Sequence, residues 1–146
     1  MSAREYFNDV KRASQDVEQC QRVIAELTDG LPPKAPSTGG RSEVSDPTFS
    51  AMVTRDAMLA DVRARADADC ELIGEALVYI SGLRWLFSKM ADVLELYYID
   101  CMSWEDVAHE LQIGESTARR LRNKVCEEAD KLPISYVMGL ATMEKP

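Results

Sequence analysis

Arg119, Arg120, Arg122 and Lys124 place four basic side chains within six consecutive positions of a chain whose formal net charge is −8. Ser116, Thr117 and Asn123 lie among and just before them. Guanidinium and ammonium groups neutralise phosphates, and Arg and Asn can pair with base edges in the major groove. Wound on a helix, Glu115, Ser116, Thr117, Arg119, Arg120, Asn123 and Lys124 fall outward, while Ala118, Leu121, Val125 and Ala129 fall inward. This spacing assigns Ser116, Thr117, Arg119, Arg120 and Asn123 to a major groove, and Arg122 and Lys124 to flanking phosphates. The plain alternative is a solvated charged face, which many helical domains carry. Glu127, Glu128 and Asp130 stand at the far end of the same helix. There they oppose its dipole and repel phosphate, so DNA would meet its N-terminal half.

Other chemistry finds little support. His109 is the single histidine, and its neighbour Glu110 points elsewhere on a helix, which makes it a solvent-facing structural residue. No Gly-rich phosphate loop, activated nucleophile or paired acid and base occurs, so neither an enzyme nor a cofactor or metal site is expected. Cys20, Cys70, Cys101 and Cys126 are widely spaced, without a Cys-x-x-Cys, and read as reduced, mostly buried thiols. Trp104 and the Tyr97-Tyr98 pair could stack on bases, but their helical spacing favours packing, with Trp104 as a staple at a helix start.

The basic helix needs a partner to hold it. Ser103 is an N-cap with Asp106 at the reciprocal position, opening a short helix whose inner face is Val107, Ala108 and Leu111. Gln112-Ile113-Gly114 is a tight turn. Small Ala108 allows a close crossing and Ile113 plugs the gap, and the basic helix runs from Glu115 to Leu132 before Pro133. Together these form the layout of a helix-turn-helix. A preceding helix covers Arg84 to Ile99. Upstream, Ala3, Tyr6, Val10, Ala13, Val17, Cys20, Ile24 and Leu27 form a heptad seam. A Pro-, Gly- and Ser-rich flexible loop spans 30–46, and Asp46-Pro47 opens a second helix. Its stripe is Met52, Leu59, Val62, Ala66, Ile73, Ala76, Ile80 and Leu83, with a break or kink expected at Ser81-Gly82.

No segment alternates with a strand period, so the expected fold is all-α. Residues 1–83 would form a long, coiled-coil-like helical hairpin, 84–132 a DNA-binding domain, and 133–146 a tail that docks or frays. The seam Val10, Val17, Ile24 and Leu27 offers more apolar surface than one helix covers, which predicts a homodimer. No stretch reaches the ~20 apolar residues of a membrane span, and the first residues lack an apolar signal core. The expected location is therefore cytoplasmic, without a membrane partner. Strong acidity disfavours non-specific binding of nucleic acid and leaves one local basic face as the route to DNA.

The run Leu96-Tyr97-Tyr98-Ile99-Asp100-Cys101-Met102-Ser103-Trp104-Glu105-Asp106-Val107-Ala108-His109-Glu110-Leu111, followed by Glu115-Ser116-Thr117-Ala118-Arg119-Arg120-Leu121, resembles region 4 of sigma-70-type factors. More closely it resembles small phage and prophage transcriptional regulators, among them late-gene activators related to ArpU and RinA. The resemblance covers roughly residues 84–132. It implies a sequence-specific regulator of transcription that binds double-stranded DNA and contacts RNA polymerase. Two positions depart from the pattern. Gln112 stands where the family has Gly at the start of the turn, which calls for a left-handed backbone costing ~1 kcal/mol, and Gly114 replaces a Ser or Thr cap. Residues 1–83 do not resemble a polymerase-binding, −10-reading region, so a stand-alone sigma factor is excluded. A small-terminase-type DNA-packaging protein and a helical interaction scaffold without DNA binding fit the same elements.

Overall fold

The computed structural model describes residues 1–29 and 46–143, and the regular structure among them is entirely helical. Helix α1 spans Ala3–Asp29 and α2 spans Asp46–Phe87. A 3₁₀ turn, Ser88–Ala91, leads to a single turn α3, Asp92–Leu94, and a π-turn, Glu95–Ile99. Then come α4, Trp104–Leu111, α5, Glu115–Asp130, and α6, Ile134–Ala141. The loop expected at 30–46 lies outside the described residues except for Asp46, where α2 begins.

The chain forms two compact units, Asp16–Ala68 and Met1–Gln15 with Asp69–Pro146, and α1 and α2 contribute to both. In the first, Cys20, Leu59 and Val62 are buried. Arg65 donates two hydrogen bonds to the Asp16 carboxylate, at 3.0 and 2.8 Å.

The second unit holds an aromatic core. Phe7 is fully buried, stacks on Tyr79 at 5.5 Å between centroids, and meets Tyr98 at 5.4 Å. Val10, Ala76, Ile80, Leu83, Leu94, Val125, Ala129 and Val137 close around these rings. The heptad seam omits Phe7, because a helix facing a globular core buries a stripe wider than two positions per heptad. Val10, which the dimer expectation counts as surplus surface, is fully covered within this unit.

Several local expectations change. α2 does not break at Ser81-Gly82 but runs to Phe87, and Ser88 adopts a left-handed φ of 51° at the reversal. Gly82 instead gives room to α6, whose Val137 backbone occupies the space a Cβ would take. The segment expected as one helix from Arg84 to Ile99 is instead the last turn of α2 followed by three short turns, with Arg84 bridging Asp92 at 2.7 Å and Glu95 at 3.0 Å. The tail docks as α6. Of the cysteines, Cys20 and Cys126 are buried, Cys101 is half-buried and Cys70 is exposed. None of the helices among the described residues is long and apolar enough to cross a membrane.

Candidate nucleic-acid interface

The basic helix α5 is presented by α4 and the turn between them. Ser103, extended at φ −69°, accepts the Asp106 N–H at 3.1 Å and caps α4. At the other end, Gln112 is left-handed at φ 58° and ψ 46°. Its N–H donates to the His109 carbonyl at 3.2 Å, and the Ile113 N–H donates to that of Ala108 at 3.0 Å. These two bonds are a Schellman closure, and Ile113 supplies the apolar contact that accompanies one. A small separate core of Val93, Val107 and Ala118, flanked by Leu96, Met102, Leu111, Ile113 and Leu121, fixes α4 against α5. Gly114 starts α5 in an extended conformation, without a side-chain cap.

On α5, Ser116, Arg119, Arg120, Asn123 and Lys124 are exposed, and Thr117 and Arg122 are half-buried. At ~100° per residue, Ser116, Arg120 and Asn123 form the line farthest from the buried Ala118, Val125 and Ala129. Arg120 leans on Thr117, donating to its hydroxyl at 3.4 Å. Arg119 lies toward α4, 4.0 Å from Glu115 and with its guanidinium 5.9 Å from the Trp104 ring centroid.

Arg122 is placed differently from the rest of the cluster. Its Nη1 donates to the Tyr98 hydroxyl at 3.0 Å, its Nε donates to Asn123 Oδ1 at 2.8 Å, and its guanidinium lies 5.0 Å from the Trp104 centroid. Burial pushes the Tyr98 phenol up from its ordinary range, against the opposing pull of Arg122.

The aromatic residues pack as their spacing suggests. Tyr97 and Trp104 stack at 4.0 Å with a 14° interplanar angle. Lys11 of α1 sets its ammonium 3.4 Å from the Tyr97 centroid. With Trp104 stacked so closely, that ammonium must take the opposite ring face. Lys11 therefore joins Arg119 and Arg122 around one aromatic pair. Nothing in the sequence announces this, because α1 and the Tyr97 turn meet only through the fold.

The acidic end of α5 also differs from the electrostatic reading. Asp130 Oδ1 accepts the Ala3 N–H at 2.6 Å and so caps α1, alongside Ser2, whose hydroxyl accepts the Glu5 N–H at 3.2 Å. One of its oxygens is committed to a helix start, while the residue stays exposed at the end of α5. Glu128 pairs with Lys131 at 3.3 Å. Burial raises the Cys126 thiol to about 11, which leaves it protonated and unreactive at neutral pH. His109 is exposed on α4.

No protein-family model, curated protein or solved structure matches the chain.

Proposed function

We propose that residues 84–132 act as a helix-turn-helix that binds double-stranded DNA sequence-specifically, and that the protein regulates transcription. The observation that carries this reading is the outer face of α5. Exposed Arg119, Arg120 and Lys124 stand with Ser116 and Asn123 on a capped helix pair, in a chain of net charge −8. Ser116, Arg120 and Asn123 enter the major groove. Arg119, Thr117 and Lys124 line its walls. Lys11 adds a charge on the Tyr97 face opposite Trp104, for a flanking phosphate. Arg122 mainly braces the others. The resemblance to region 4 extends the reading to contact with RNA polymerase, and residues 1–83 then serve as a helical hairpin joined to the DNA-binding part.

The test is enrichment of duplexes from a random pool by the full-length protein, followed by salt titration on the enriched site. The expected result is a defined site whose affinity falls with salt, log–log, by ~0.9 per phosphate contact. Absence of any enriched duplex at low salt would refute the reading.

A further inference from the structure

We infer that α1 is a second DNA-binding element, whose edge of Asn8, Lys11 and Gln15 docks on the phosphate backbone bordering the groove taken by α5. This rests on the DNA-binding reading of α5 and enlarges it, because the bound surface then extends beyond residues 84–132 into the start of the chain. All of these residues belong to the unit of Met1–Gln15 with Asp69–Pro146. The first half of α1 runs antiparallel to α5. The Ala3 N–H donates to Asp130 at the end of α5, and Arg4 is within electrostatic reach of Cys126. Lys11 stands ~12 Å further along α1 than Ala3, and Arg122 the same distance back along α5 from Asp130. There the Lys11 ammonium caps the Tyr97 ring, whose centroid is 6.0 Å from the Arg122 guanidinium. α1 therefore advances toward the N-terminal half of α5, the half that meets DNA.

Asn8, Lys11 and Gln15 recur at spacings of three and four, so they share one edge of α1. Asn8 and Gln15 are exposed, and Lys11 is half-buried. Glu5 and Asp9 lie ~90–130° round the helix from this edge. Asp9 is also paired with Arg12, at 2.9 Å. The Lys11 ammonium, 3.4 Å from the Tyr97 centroid, is held on a ring that is itself stacked on Trp104. A held ammonium loses less freedom on meeting an anion than one on a solvated stem. Lys11 and Arg122 both lie against Tyr97, which brings them within the ~10 Å over which charges act at 0.1 M salt. Among the described residues neither is in ion-pair contact with a carboxylate, although the chain has 25 acidic residues against 17 Lys and Arg. Two like charges so placed repel, and an anion beside Lys11 relieves the repulsion. Next to a basic helix seated in a major groove, that anion is a backbone phosphate. Asn8 and Gln15, about a turn to either side of Lys11, offer amide N–H groups to the phosphates before and after it.

Single variants of the full-length protein that all make the net charge equally more negative test this, on a duplex enriched from a random pool. Lys11→Gln should lower the log–log salt slope of affinity by ~0.9, the loss of one phosphate contact, and weaken cognate and random duplexes alike. Ethylation interference should lose a phosphate at the border of the groove in the same variant. Gln15→Glu puts a carboxylate on the exposed edge and should weaken binding by ~5-fold, the effect of a like charge ~4 Å from a phosphate in water. It serves in place of Lys11→Gln if circular dichroism shows that variant unfolded. Arg4→Gln removes a charge near Cys126, toward the acidic end of α5, and should leave the slope and the interference pattern unchanged. An unchanged slope in folded Lys11→Gln, an unchanged affinity in Gln15→Glu, or equal losses in Arg4→Gln and the edge variants would overturn the inference and leave DNA binding by α5 standing. If the natural chain enriches no duplex, the functional reading itself falls and takes the inference with it.

Discussion

The crossing of α2 with α6 and the turn between α4 and α5 treat glycine in opposite ways. At the crossing, Gly82 is buried in an ordinary helix, and a Cβ there would meet the carbonyl of Val137 and its Cγ1. At the turn, Gln112 holds a left-handed φ of 58° that favours glycine, yet the residue is exposed. One region is closed and cannot accept an added atom. The other is open and tolerates a strained residue at ~1 kcal/mol. The exposed basic face lies beside the open turn. Substitutions in the closed region should therefore act on stability, and those on the open face should act on binding.

The largest effect is expected at the closed crossing. Gly82→Ala should gain ~1 kcal/mol of helix propensity and lose more, at the upper end of the ~1–3 kcal/mol for overpacking, because the obstacle is backbone. A net loss of ~2 kcal/mol in urea denaturation, with DNA affinity of the folded fraction unchanged, would mark this region as purely structural. A stable variant would mean that α6 sits farther from α2 than described. On the open face the pattern should invert. Arg120→Ala should weaken binding to a selected duplex by ~1–2 kcal/mol and leave the denaturation midpoint unchanged. Equal affinity of the two proteins would break the contrast, leaving the α5 face a solvated surface.

The open region was the more legible from sequence, and the reason is physical. The Ser103 cap, the small Ala108, the apolar Ile113 and the left-handed Gln112 are governed by bonds within a few residues, so their pattern appears in a short stretch. The closed region depends on distant partners. A glycine chosen for the approach of α6 looks the same in sequence as one chosen for a kink, which is why Gly82 suggested a break. Asp130 looked like an unfavourable charge at the end of α5 because its partner, the Ala3 N–H, is at the other end of the chain. Phe7 and Lys11 were missed for the same reason: their partners Tyr79 and Tyr97 lie far along the chain.

Asp130 tests whether the far end of α5 belongs with the closed region. Asp130→Ala removes the acceptor of the first N–H of α1, and helix caps of this kind contribute ~1 kcal/mol. The expected result is a loss of that size, with faster amide exchange at the first turn of α1 and no gain in DNA affinity. A gain in affinity with unchanged stability would restore the view that this carboxylate acts by repelling phosphate.

The smallest effect is expected at Gln112, and its sign is what matters. Glycine adopts the left-handed region without the clash between Cβ and the carbonyl oxygen, which favours the folded state of Gln112→Gly. It also gives the unfolded chain more freedom, which offsets part of the gain. The Schellman bonds from Gln112 and Ile113 use backbone atoms alone, so the substitution leaves them in place. The net expectation is stabilisation of ~0.5–1 kcal/mol, read as a higher denaturation midpoint at unchanged slope, with the salt dependence of binding unaltered. Destabilisation would show that the Gln112 side chain makes a contact worth more than the strain it carries. The turn would then belong with the α2–α6 crossing as a packed site, and the contrast between the two regions would disappear.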